Sequence, residues 1–166
     1  MKYLLLMRHA KSSWDDETLN DHDRPLNKRG QTAGPRMAKW LKKHDWMPDS
    51  IISSTANRAK STADFIAQQD ESIPYQQTET LYHASTSDMV EVASQVPPEV
   101  GRLMLVAHNP GMEEAVLRFS QQYESMPTAA VAIIELQLDC WSELTVKSSG
   151  NLIHCWRPKE IDWDSL

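Results

Sequence analysis

The chain reads as a single α/β domain built on a mostly parallel central sheet flanked by helices. Two apolar runs carry that expectation, Lys2–Met7 (KYLLLM) and Arg102–Ala107 (RLMLVA). Continuous apolar runs of this length fit strands buried on both faces, as in parallel sheets. Stretches with apolar residues at helical spacing lie between them, the pattern of βαβ crossovers. Each run breaks directly into polar chemistry, Arg8-His9 after the first and His108-Asn109 after the second. Ligands of open α/β sheets sit beyond the carboxyl ends of the strands. These polar residues therefore belong to a site and not to the core.

The elements follow in order. Lys11–Arg24 is polar and acidic, with loop composition and the length of a lid or substrate-facing loop. Asn27 can cap a helix to about His44, with Ala33, Met37, Trp40 and Leu41 as its apolar stripe. Gly34-Pro35 inside it predicts a kink or a break. Ser50–Ser53 is a short strand, and Ser54 or Thr55 caps a helix through about Gln69. Pro74–Thr78 is a peripheral strand. Ser85 and Asp88 have capping-box spacing before a helix that Pro97-Pro98 stops. Asn109 caps the next helix, with Pro110 at its first position. Ala129–Leu138 is a longer strand whose late alternation suggests a half-exposed edge. Glu143–Val146 and Leu152–Trp156 flank a hairpin signal at Ser148–Asn151. Residues 157–166 read as a loosely held tail of the one domain, 1–166.

Composition narrows the function. The chain has 166 residues, 40% hydrophobic and 24% charged, and suits one domain with a full core. No run reaches the ~18–20 apolar residues of a membrane span. The N-terminal apolar stretch is too short for a signal-peptide core, so a cytoplasmic protein is expected. Cys140 and Cys155 lack metal-ligand spacing and read as reduced packing thiols. A net charge of −6 makes nucleic acid a poor partner. No His, Cys or carboxylate cluster has ligand spacing, so neither metal nor cofactor is implied.

Three strand–helix junctions carry polar residues of one chemical type: Arg8-His9, Ser53–Arg58 and His108–Gly111. Parallel strands with helical crossovers bring all three to one sheet edge. Helix N-termini there add free N–H groups and a positive dipole end. Two arginines, two histidines and such termini suit a doubly charged tetrahedral anion, a phosphoryl group above all. A neutral imidazole is a nucleophile toward phosphorus, and adjacent arginine charge keeps it neutral. His9 is the better nucleophile, with His108 as a second donor to the transferring oxygens. Arg8 and His9 would face opposite ways in an ideal strand and share a site only if the strand opens there. Taken singly, each has a structural reading, a surface arginine or a core histidine. At successive strand ends coincidence is a poor account. His22, His44, His83 and His154 lack this placement and read as surface or structural.

The pattern resembles the histidine phosphatase superfamily, with its phosphoglycerate-mutase-like fold, and within it the SixA-type phosphohistidine phosphatase branch. The matching stretches are Met7–Ser12, Asp23–Gly30, Ser53–Ala63, Val106–Gly111 and Met126–Ala130, in order along nearly the whole chain. The resemblance implies a three-layer sandwich and a phosphohistidine intermediate on His9 that water hydrolyses. It places Arg8, Arg58 and His108 around the phosphoryl oxygens, with Ser12 and Arg24 as further phosphate- or substrate-binding residues; Asn109, beside His108 at the third junction, is a further phosphate-binding candidate. Larger members carry a carboxylic acid in an acidic, glycine-containing stretch after the third strand. Here that region reads Thr78–Ser85, with only Glu79 and Asp88 nearby. An alkoxide leaving group needs a proton from such an acid, an effect of ~10²–10⁴-fold. Phosphohistidine needs less help, so a weak acid favours a P–N substrate.

Three readings follow. The first is a metal-free phosphohistidine phosphatase acting on a phosphoprotein, a place in signal transduction. The second is a phosphomonoesterase on a small phosphorylated metabolite, with Glu79 or Asp88 as acid. The third is a catalytically silent phosphate-binding module.

Overall fold

A computed structural model describes all residues, Met1–Leu166. The strands are β1 (Lys2–Arg8), β2 (Ser50–Ser54), β3 (Tyr75–Thr78), β4 (Arg102–Ala107), β5 (Val131–Leu136) and β6 (Gly150–Trp156). The helices are α1 (Lys28–Lys43), α2 (Asn57–Ala67), α3 (Thr86–Ser94) and α4 (Gly111–Ser120). The six strands form one sheet in the order β3-β2-β4-β1-β5-β6. The first four are mutually parallel, and β5 and β6 are added antiparallel.

The alternation of side chains along β1 divides the core in two. Leu4 and Leu6 join Met89, Met112 and Phe119 on the face covered by α3 and α4. Leu5 and Met7 join Met37, Leu41, Ala63 and Ile66 on the face covered by α1 and α2. This is a three-layer α/β sandwich. Adjacent strands β1 and β4 send their chains to opposite faces, β1 toward α1 and β4 into α4. A crevice opens at such a divergence.

Several local expectations change. α1 runs through Pro35 without a break, and Asn27 caps it by accepting from Gly30 N–H at 2.9 Å. Pro35 leaves only the carbonyl of exposed Gln31 without its helical donor, and water reaches it there. Neither Ser54 nor Thr55 caps α2; Ala56 occupies that position without a side-chain bond. α4 starts one residue later than expected, with Pro110 at the cap, yet Asn109 Oδ1 still accepts from Glu113 N–H at 3.3 Å. β5 is not an edge, because β6 pairs with it. No strand forms over 143–146: Glu143 accepts the N–H groups of Asp139 and Cys140 and fixes a 3-10 turn at Trp141–Glu143. The tail is docked, with Ile161 and Trp163 against the α1 side of the core.

Candidate active site

Strand β1 ends by clamping. His9 N–H donates to Ala107 O at 3.1 Å, while Ala129 N–H is shared between the carbonyls of Arg8 and His9. Ala129 is buried and adopts φ 65°, a conformation an alanine holds only when its surroundings impose it. Ala10 N–H donates to Thr62 Oγ1 at 2.9 Å, and that hydroxyl donates to Arg58 O at 2.7 Å. The loop carrying Arg8 and His9 is thereby pinned to β4, to the Ala129 segment and to α2. Gly30 lets α1 approach it, since a Cβ there would stand 2.2 Å from Lys11 O. With the strand opened in this way, Arg8 and His9 both line one cavity of about 370 Å³.

The same cavity is lined by Ser12, Arg24, Arg58, His108 and Asn109, so seven sequence-predicted residues meet there. The rings of His9 and His108 lie 5.0 Å apart. His9 Nδ1 is 2.7 Å from Ala10 O, which only accepts, so the proton resides on Nδ1 and the lone pair on Nε2. Burial, reinforced by Arg58, Arg8 and Arg24, pushes the His9 pKa down to about 3. Burial, with His9 and Arg58, also brings His108 to about 3. Both rings are neutral at physiological pH. His108 Nε2 lies 2.8 Å from Ser54 Oγ, and its buried Nδ1 has no partner. Arg8 donates from Nη1 to Met126 O, and its buried Nε is likewise unpartnered.

Ser12 and Asn109 act on neighbours. Ser12 Oγ accepts from Arg24 Nη2 at 2.5 Å. Asn109 Nδ2 donates to Met126 O and Glu113 Oε1, and Glu113 Oε1 also accepts Met126 N–H. That network holds the carbonyl to which Arg8 donates.

Neither expected acid reaches the cavity. Asp88 accepts from Ser85 N–H at 2.9 Å and Ser85 Oγ at 3.0 Å, which spends it on the α3 cap. Glu79 is exposed at the start of a 3-10 turn. The carboxylate that does line the cavity is Asp21, which the sequence did not single out. It accepts from Arg24 Nη1 at 2.9 Å, Arg58 Nη2 at 3.0 Å and the Tyr82 hydroxyl at 2.6 Å. Burial works to raise its pKa, but these three donors outweigh it and hold Asp21 well below the usual carboxylate range. It stays ionised and orients the arginines. His83, read from sequence as surface or structural, is exposed yet lines the cavity, with Lys11, Trp14 and Thr128. Trp14 lies over the Arg24 guanidinium at 3.2 Å.

Residues 4–102 match the sequence pattern of the Histidine phosphatase superfamily (branch 1). The chain belongs to that superfamily. Its reaction class is accordingly that of a phosphatase, a hydrolase. An uncharacterised chloroplastic protein of Arabidopsis thaliana is 31% identical over 150 residues, covering 84% of this chain and 69% of that protein. An uncharacterised protein of Mycobacterium tuberculosis is also 31% identical, over 78% of this chain and 87% of its own length. Among solved structures, one assigned as the phosphohistidine phosphatase SixA of Nakamurella multipartitia superposes with a TM-score of 0.81 at 22% identity, over 95% and 96% of the two chains. Another so assigned, from Agrobacterium tumefaciens, gives 0.78 at 27% identity over 95% and 98%. A mycobacterial glucosyl-3-phosphoglycerate phosphatase shares the fold at 0.68 and 16% identity, over 93% and 98%. No helix is long and apolar enough to cross a membrane.

Proposed function

We propose that this phosphatase hydrolyses the P–N bond of phosphohistidine on a protein, through a phosphohistidine intermediate on its own His9. The observation that carries the reading is the neutral His9 with its lone pair on Nε2, in a cavity lined by four cations and holding no carboxylic acid able to protonate an alkoxide.

His9 Nε2 attacks phosphorus as the bond to the substrate nitrogen breaks. That nitrogen leaves as neutral imidazole if the phosphoramidate is protonated beforehand, so no enzyme acid is required. Water then attacks the phosphorus on His9, and inorganic phosphate departs with His9 neutral again. Arg8, Arg24 and Arg58 face the developing charge on the oxygens. Ser54 Oγ accepts from Ala56 N–H and has its own proton to give. Donated to His108 Nε2, that proton leaves Nδ1–H as the free donor of His108 toward a phosphoryl oxygen. The assignments of the Agrobacterium and Nakamurella structures agree with this substrate class.

The test is turnover in EDTA of a phosphohistidine protein beside an alkyl phosphate. The expected result is preference for the former and loss of all turnover, and of labelled enzyme, in His9→Ala. Preference for the alkyl ester would refute the P–N assignment. Full activity in His9→Ala would refute the nucleophile.

A further inference from the structure

A second groove, of about 320 Å³, adjoins the catalytic cavity and shares Arg8, Lys11 and Thr128 with it. Arg29 and Lys159 complete its charge, between walls that include Pro127 and Pro158. Past Arg29 and Lys159 it continues into a shallow depression with Lys28, Arg36, Ile161 and Trp163. No carboxylate lines either part. None of Lys11, Lys28, Arg29, Arg36 and Lys159 takes part in the ion pairs of the fold, which use His22, Arg24, Arg58 and Arg157. A chain of net charge −6 thus concentrates unpaired cations along one strip leading to its catalytic cavity.

The strip is also placed against local stability. Lys28 and Arg29 occupy the first turn of α1, which holds no acidic residue. A helix N-terminus is the positive end of the dipole and favours anions. Cations there are unfavourable for the helix and favourable for a bound anion.

We propose that this strip docks an acidic polypeptide segment, the stretch of a phosphoprotein that flanks its phosphorylated side chain; the proposal rests on the phosphoprotein reading above. The spacing suits an extended chain. Lys28 to Arg36 alone spans roughly 12 Å of helix at about 1.5 Å per residue, and the strip runs on through Arg29 and Lys159 to the cavity. A compact metabolite held at phosphorus would not reach Arg36. Half-buried Ile161 and Trp163 at the far end offer an apolar contact after the acidic residues. Nucleic acid is the weaker occupant. The strip carries one aromatic ring, Trp163, whereas single-stranded nucleic acid is held by stacking successive bases on several.

The test uses a phosphohistidine peptide with Glu/Asp flanks, the same peptide with Ser/Ala flanks, and p-nitrophenyl phosphate. The variant is Arg29→Glu/Lys159→Glu, two positions outside the catalytic cavity. Wild type should favour the acidic flank by about tenfold in KM with similar kcat, and 0.5 M salt should erase the difference. The variant should lose the preference and still turn over p-nitrophenyl phosphate. Equal KM values for the two flanks in wild type, or a preference that survives the variant, overturns the proposal. Arg29→Gln/Lys159→Gln provides the same readout if the charge reversal impairs folding. A dye-labelled, unphosphorylated acidic peptide, followed by anisotropy, reports on the groove whatever bond the enzyme cleaves. Its binding should weaken about tenfold in the variant; unchanged binding, or tighter binding of a single-stranded oligonucleotide, overturns the docking assignment.

Discussion

Lowering the pH from 8 to 4.5 should leave His9 and His108 uncharged. Each ring is pushed from the ordinary 6.5 down to about 3, mainly by burial, with the Arg58 charge lowering both further. At pH 5 an unperturbed imidazole would be only about 3% neutral, whereas one titrating near 3 would be about 99% neutral. The difference amounts to roughly 30-fold in neutral imidazole, well above the error of a titration. Ring C–H shifts of the six histidines, followed by NMR and assigned with His9→Gln and His108→Gln, measure it directly. Two resonances should show no inflection above pH 4.5. A titration of the His9 resonance between pH 6 and 7 would refute the burial argument and, with it, the proposed role of this imidazole as nucleophile at neutral pH. Substrate protonation, which occurs near pH 6 for a phosphate monoester, does not enter the NMR measurement.

The same shifts set a stability slope. The unfolded chain binds protons at His9 and His108 below pH 6.5 that the folded chain binds only near 3, so stability falls as pH drops through that window, by up to about 1.4 kcal/mol per pH unit for each ring. Urea midpoints at pH 7 and 5 should show the fall, and His9→Gln/His108→Gln should flatten it. Asp21→Asn should release Arg58 and Arg24 and cut kcat/KM about 10²-fold, as a misplacement of ~1 Å can, with the melting temperature as the control for folding. Gly34→Ala should destabilise by about 1–3 kcal/mol in urea unfolding, since its Cβ would stand 2.4 Å from the Phe65 ring at the α1–α2 contact.

The parts of this molecule legible in its sequence are those in which neighbours in the chain settle the outcome. β1 and β4 announce themselves because a buried strand is apolar throughout and its end is not. The Asn27 cap and the Ser85–Asp88 box close over three residues, and both form. β5 and β6 are less legible. The exposed-looking alternation near Glu135 is accommodated by distant partners, the Tyr3 hydroxyl and Asn151. Their pairing is set by the sheet and not by a local turn signal. Asp21 is the extreme case. Its donors Arg58 and Tyr82 lie 37 and 61 positions away, and nothing in Asn20–Pro25 distinguishes it from Asp23 beside it. His83 is illegible in the sequence for a related reason. It sits in a turn with φ 57°, and its place in the cavity depends on how that turn brings its ring to 6.4 Å from that of His108.

On the proposed mechanism, Asp21 also accounts for turnover in a strongly cationic cavity. Arg8, Lys11, Arg24 and Arg58 line it, and with both central histidines neutral the carboxylate leaves a net charge of about three positive. A phosphoryl group brings −1.5 to −2, so binding remains favourable without Asp21 being protonated. Were Asp21 absent, the fourth positive charge would act on substrate, intermediate and free phosphate alike. Uniform tightening of that kind does not accelerate chemistry, and it would slow release of the last anion. The carboxylate instead spends its charge on holding two guanidinium groups in register. It trades ground-state attraction for orientation, which is the currency of phosphoryl transfer when little covalent chemistry is left for the protein to do.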